Sequence, residues 1–285
     1  MKDTLLVVDL SNQVYRALYA YPNLTHDGVF TGGLYGLLVM ISTAVRNTNA
    51  TRLIVAEDSK PYIRSKTYTS YKNLSRKPPD PAVKEARDET MRLWHEMAAA
   101  VGICSWAIPG YEADDIAGLV VRDHWPRFRH VWSMSNDEDL YQLLTYPNYR
   151  VYASSSTKVA GKPTITPKVT TRDVFVERFG IDPEQYPLVL AMAGTHNDVE
   201  GIPSIGIKRA VAALQSDQAK YRQLTQQHGP LIARNLDLIT LPHPSLPRTP
   251  LPPRPTFNLR ALHRFCARYD ITVTPSINAA FGNLL

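Results

Sequence analysis

Short apolar runs alternate along the chain with longer stretches in which apolar positions recur every three or four residues. Leu5-Leu6-Val7-Val8, Leu53-Ile54-Val55-Ala56, the span 103–108 and Val131-Trp132-Ser133-Met134-Ser135 read as strands buried on both faces, and Arg150-Val151-Tyr152-Ala153 reads as another. Between them, Leu34, Leu37, Leu38, Ile41 and Val45 predict a helix over about 33–46. Met91, Leu93, Trp94 and Met97 predict a second, which starts near Val83 after Pro78, Pro79 and Pro81 and runs towards Val101. Ile116, Leu119 and Val120 mark a third, begun after Gly110. Strand and helix in this order give an α/β class with a central, mostly parallel sheet.

Further on, 154–167 is polar and broken by prolines, a connector or a hairpin, and a soft boundary falls there. From Thr170, an expected N-cap, helices dominate: Val174, Phe175 and Phe179, then 186–193, then an Ala/Val/Leu helix after Arg209. The stretch 242–255 has seven prolines in fourteen residues and is expected as an extended surface connection. Leu259, Leu262, Phe265 and Cys266 predict a short amphipathic helix at the end.

The polar residues that follow the apolar runs carry the chemistry. Asp9 ends the first run, Glu57-Asp58 the second, Glu112, Asp114 and Asp115 come after the third, and Asp137-Glu138-Asp139 after the fourth. In open α/β sheets ligands bind beyond the carboxyl ends of strands, so these acids share one rim. A helix dipole favours acids in a first turn, and an Asp after a strand commonly starts a turn, but neither accounts for all four placements. Like charges about 4 Å apart repel by roughly 4 kcal/mol at an effective dielectric near 20. Such a cluster is held together by protons or cations, and oxygen ligands suit Mg²⁺ or Mn²⁺.

Basic residues provide the complement. Lys60, Arg64, Lys66, Lys72, Arg76, Lys77, Lys84 and Arg87 are interleaved with Tyr62, Tyr68 and Tyr71, a mixture that suits single-stranded nucleic acid, with a solvated loop as the plainer reading. Gly201-Ile202-Pro203-Ser204-Ile205-Gly206, followed by Lys208 and Arg209, reads as a hairpin between helices whose exposed amides take phosphates without regard to base sequence. The net charge of +6, from 32 Lys and Arg against 26 Asp and Glu, agrees with a polyanion partner. Cys104 and Cys266 form neither a zinc spacing nor a disulfide framework, and no signal peptide or membrane span is expected, so the reading is cytoplasmic. The histidines show no catalytic pairing, and only His196, inside an acidic loop, stands out.

Taken in order, LLVVDLSNQVYRALYA at 5–20, Asp58, Tyr71-Lys72, GYEADD at 110–115, 135–144 and 201–206 resemble the flap endonuclease or 5′-nuclease family, found as bacteriophage enzymes and as the N-terminal domain of bacterial DNA polymerase I. The resemblance covers roughly 3–240 and implies a PIN-like domain with a helical arch and a helix-hairpin-helix subdomain. It sets the units at 1–168, with the arch at about 60–95, and 169–285. Carried over by position, Asp9, Asp58, Glu112, Asp114 and Asp115 would hold one Mg²⁺ or Mn²⁺ ion, directly or through water, and Asp137, Asp139 and Asp198 would form the second site. Lys72, with Asp9, Asp58 and Asp115, would act in catalysis. Arg64, Tyr71, Lys72, Arg76 and Lys77 in the arch, and Gly201, Ile202, Ser204, Gly206, Lys208 and Arg209 at the hairpin, would bind DNA, with a K⁺ ion at the hairpin as a further expectation. The implied substrate is a 5′ flap, a 5′ overhang or a nicked duplex, with an RNA primer in an RNA–DNA hybrid as an extension. The implied protein is a monomer. The chain departs from the family's Gly-Asp-x-x-Asp-Asn pattern, since Thr195 replaces the first Asp and Val199 the Asn, and Arg76 is spaced one residue late. A PIN-type ribonuclease and a non-catalytic DNA-structure binder are the alternatives.

Overall fold

The continuous apolar runs become the middle of a sheet because both of their faces find something to pack against. A computed structural model of the chain describes residues 2–72, 80–159 and 162–284, with the side chains of 155–159 and 162–165 outside that description. In chain order the strands are β1 (Thr4–Asp9), the small pair β2 (Thr25–His26) and β3 (Val29–Phe30), β4 (Arg52–Glu57), β5 (Ser105–Ala107), β6 (His130–Met134), β7 (Tyr149–Val159), β8 (Lys162–Thr170), and the small pair β9 (Gly194–Thr195) and β10 (Val199–Glu200). Six of them form one sheet in the order β5-β4-β1-β6-β7-β8, parallel except where β8 pairs antiparallel with β7. With β1 between β4 and β6, the strands that end on Asp9 and Glu57 and the one that leads to Asp137 lie side by side.

Alternation along the strands splits the core in two. Leu5, Val7, Ile54, Ala56, Val131 and Val151 face one cluster, which α5 (Ala113–His124), α7 (Tyr186–Ala193), α8 (Ile207–Ser216) and α9 (Gln218–Ile239) complete. Leu6, Val8, Val55, Trp132 and Met134 face the other, covered by α1 (Leu10–Ala20), α2 (Gly32–Thr48) and α4 (Pro81–Val101). Local signals set the helix ends. Asp80 accepts Ala82 N at 2.8 Å ahead of Pro81, and Gly102 turns α4 off with φ +76°.

The structure departs from the sequence reading at several places. The third strand is the edge strand β5, shorter than the span 103–108, while of the two readings of 154–167 the hairpin holds: the fifth strand continues to Val159 and returns as β8. Thr171, whose Oγ1 accepts Val174 N at 3.4 Å, caps α6 (Arg172–Phe179), because Thr170 is still paired in β8. The proline-rich stretch starts in the core: Pro242, His243 and Leu246 are buried, and α5 makes room at Gly118, where a Cβ would lie 2.6 Å from Pro242 N. After α10 (Leu259–Arg268), a further helix, α11 (Pro275–Gly282), was not anticipated. Leu262, Phe265, Ile277 and Phe281 pack with α2 and α4 in the second cluster, so the last residues of the expected 169–285 unit join the core of the first. Arg76 and Lys77 lie outside the described residues.

Candidate metal and phosphate centre

The N-terminus of α5 gathers the first group of acids. Asp115 is fully buried and is already saturated. Its Oδ1 accepts Arg64 Nη2 at 2.7 Å and His243 N at 2.8 Å, while Oδ2 accepts Arg64 Nη1 at 2.5 Å and Glu112 N at 3.1 Å. Asp115 therefore anchors the start of α5, with both carboxylate oxygens taken up by these donors. Arg64, in α3 (Arg64–Thr67), is equally buried and gives Nε to Leu238 O at 2.6 Å, so it clamps α5 to the end of α9 and is not a DNA contact in this arrangement. Its place in the basic segment made it a DNA-binding candidate, because a buried, ion-paired arginine looks the same in a charge count.

Glu112 takes up the next cations. Its Oε2 accepts Arg64 Nη1 at 3.1 Å and the Tyr71 hydroxyl at 2.8 Å, and its Oε1 accepts the Lys72 ammonium. Tyr71 is 4% exposed, so its ring is packed beneath Lys72 and is not presented for stacking on a base. Burial draws the Lys72 pKa down, but Glu112 and Asp114 outweigh it and hold the ammonium charged. Asp114, between them, has no such partner: its Oδ1 is buried without a hydrogen bond. Asp58 Oδ1 caps Ala113 N at 3.0 Å, and Asp9 accepts Asn12 N at 3.1 Å and the Ser135 hydroxyl at 3.0 Å.

The second group lies across the end of β6. Asp137 Oδ1 accepts Asp139 N at 2.9 Å, and ligand atoms of Asp137, Asp139 and His196 lie within 4.8 Å of one another. The same distance joins Glu112, Asp114 and Asp115. A cavity of about 350 Å³ lined by Asp137, Asp139, Thr195, His196 and Asn12 opens here. Asp198 sits in the β9–β10 turn with φ +59° and is not in the group that includes His196. Lys72 N donates to Asn197 O at 3.1 Å, which ties the two halves of the rim together.

The donor set fits divalent cations. A buried carboxylate oxygen without a donor, several acids within one Coulomb radius and oxygen-rich chemistry all call for more positive charge than Arg64 and Lys72 bring. Burial, then Asp58, pushes the Asp9 carboxyl up to about 7, and burial with Glu112 and Asp115 pushes Asp114 well up. Between an unfolded pKa near 3.9 and these folded values the native state binds more protons, so stability is lost as pH rises from about 4 to about 7. In chelator, Tm is expected to fall across that window. Mg²⁺ or Mn²⁺ should restore it at pH 8 and add little at pH 5, as followed by calorimetry; a flat profile in chelator would contradict the unpaired-acid account.

Beside the acids, the hairpin 201–206 joins α7 to α8. A Cβ on Gly201 would lie 2.3 Å from Ala193 backbone, so only glycine allows the turn to fold back on α7. Ile202 is buried under the turn and anchors it instead of facing a ligand, while Ser204, Gly206, Lys208 and Arg209 are exposed. Arg209 Nη1 donates to Ser204 O at 2.7 Å.

A PIN-like sheet with carboxylates along one rim and a hairpin of open amides beside it has the architecture of a metal-dependent nuclease. Comparison with known proteins narrows this. Residues 4–180 match the model of the 5′-3′ exonuclease N-terminal resolvase-like domain. The chain is 30% identical to a 5′-3′ exonuclease of Aquifex aeolicus over 215 residues, 74% of this chain and 69% of that one. It is 30% identical to DNA polymerase I of Bacillus caldotenax over 218 residues, 75% of this chain and 24% of that one, so it spans about a quarter of that polymerase. Its fold matches T5 5′-exonuclease, a structure with bound zinc, at a TM-score of 0.67 and 21% identity, over 99% of this chain and 98% of that one. The chain belongs to the 5′-3′ exonuclease family.

Proposed function

We propose that the chain hydrolyses DNA phosphodiesters at junctions between a 5′ single strand and duplex, using two Mg²⁺ or Mn²⁺ ions. The observation that carries this reading is the convergence of Asp9, Asp58, Glu112 and Asp114 with Asp137 and Asp139 at one sheet rim. Asp9, Asp58, Glu112 and Asp114 would hold one ion, and Asp137 and Asp139 the other, with Asp198 near enough along the chain to act through water. Bound there, the ions would supply an activated water and positive charge at the attacking and leaving oxygens.

The chain's own side chains do the rest. Asp115 and Arg64 fix the start of α5 so that Glu112 and Asp114 face the rim. Lys72, held charged against Glu112, would turn onto a phosphate oxygen once other cations satisfy the glutamate. The exposed amides of Ser204 and Gly206, with Lys208 and Arg209, would hold the duplex backbone, with K⁺ as a candidate ion at the hairpin. Nothing in this set reads bases, so substrate choice follows strand geometry, and the products would carry a 5′-phosphate and a 3′-hydroxyl.

The test is cleavage of a labelled 5′-flap oligonucleotide in Mg²⁺ or Mn²⁺, with an RNA-flapped hybrid and a single-stranded RNA as arms that separate primer removal from a ribonuclease. Light scattering would check the monomer. Lys72→Ala is expected to lower kcat about a hundredfold, some 3 kcal/mol at the transition state, with flap affinity little changed. A change in affinity alone would reduce the lysine to a phosphate tether.

A further inference from the structure

The acids around Glu112 are bonded to Arg64, Tyr71 and Lys72, but those at the end of β6 are served differently. Asp139 is nine-tenths buried and lines the cavity, yet no hydrogen-bond donor among the described residues reaches its carboxylate. Its neighbour Glu138 turns away to Arg178, at 2.7 Å and 3.2 Å. Thr195, also in the wall, brings a neutral hydroxyl, which accepts Asn197 N at 3.3 Å. Asn12, Asn136 and Tyr186 add neutral polar groups to the wall, and His196 adds an imidazole: its Nε2 lies 3.8 Å from Asp137 Oδ2, and ligand atoms of Asp137, Asp139 and His196 all lie within 4.8 Å of one another. That is too long for a hydrogen bond and close to the spacing of about 3–3.5 Å that two ligands take on one ion with bonds near 2.1 Å.

We propose that the second cation site is built from Asp137, Asp139 and the imidazole of His196, and that it selects a first-row transition ion such as Mn²⁺ over Mg²⁺. Two carboxylates balance a divalent charge, and the third ligand decides which ion. Mg²⁺ binds oxygen in a near-ideal octahedron and gives up water reluctantly, whereas an imidazole nitrogen is a good ligand for Mn²⁺ and the metals after it. His196 is exposed on the β9–β10 turn, so its ring can close the short distance without moving the sheet. The role of the ion in cleavage rests on the nuclease reading; the binding rests on these side chains.

The experiment uses the full chain loaded with Mn²⁺ alone, read by electron spin-echo envelope modulation for a directly bound ¹⁴N, with Mn²⁺ and Mg²⁺ affinities by calorimetry. Wild type should show the nitrogen coupling. His196→Ala should abolish it and weaken Mn²⁺ binding at this site by about tenfold or more, while Mg²⁺ binding changes by less than about twofold. His196→Asp, which restores an all-oxygen set, should bind Mg²⁺ more tightly and show no nitrogen. A Mn²⁺-loaded wild type without the coupling, or a His196→Ala variant that keeps it, would overturn the proposal. Circular dichroism of the variants checks that the fold is intact. Flap cleavage in the same samples reports on the nuclease reading separately: coupling present without cleavage would sink that reading and uphold the imidazole ligand.

Discussion

Asp114→Asn is expected to lose cleavage by about a thousandfold, roughly 4 kcal/mol of transition-state stabilisation, and at the same time to raise the melting temperature of the cation-free protein. Both effects come from one half-buried group. The Asp114 carboxylate is pressed by desolvation and by Glu112 and Asp115, and one of its oxygens has no donor. An amide of the same shape ends the repulsion, and each kcal/mol so relieved should appear as roughly 2–4 °C in Tm. It also removes an anionic ligand from the site. The measurement is a pair of melting curves in chelator beside single-turnover cleavage in Mg²⁺. A lower Tm for the variant in chelator would mean that Asp114 is paired after all.

Arg64→Met should cost about 3–5 kcal/mol of stability, because it leaves Glu112 and Asp115 buried without their guanidinium. Denaturant unfolding would read the loss. Adding Asp115→Asn should recover a good part of it, since the second change removes the stranded charge, and the two effects should be far from additive. If Arg64 touched DNA instead, the single variant would keep wild-type stability and lose flap affinity.

Much of this site was legible in the order of residues. A run of four apolar residues that ends on Asp9, and another that ends on Glu57-Asp58, can hardly be anything but inner parallel strands aimed at a common rim, and the sheet order confirms it. Periodicity could not say which charges were neutralising each other. Arg64 and Tyr71 looked like an exposed basic and aromatic face, and only three-dimensional packing shows them turned inward on Glu112 and Asp115. Tertiary burial likewise hid the role of 241–246. Its prolines signal extended chain, which is correct, but not that Pro242 would press against Gly118 or that His243 N would end on Asp115. β8 was obscured because Ser, Thr and Lys on a polar hairpin carry no apolar alternation, and α11 because its few apolar residues follow a short loop.

The packing of α11 on α2 bears on how the chain folds as it is made. Leu37, Leu38 and Ile41 leave the ribosome early, but Ile277 and Phe281, which share their cluster, emerge more than two hundred residues later. Until α11 emerges, the flank of α2 that it covers has no lid, and the nascent polypeptide is exposed there to sticking or chaperone capture.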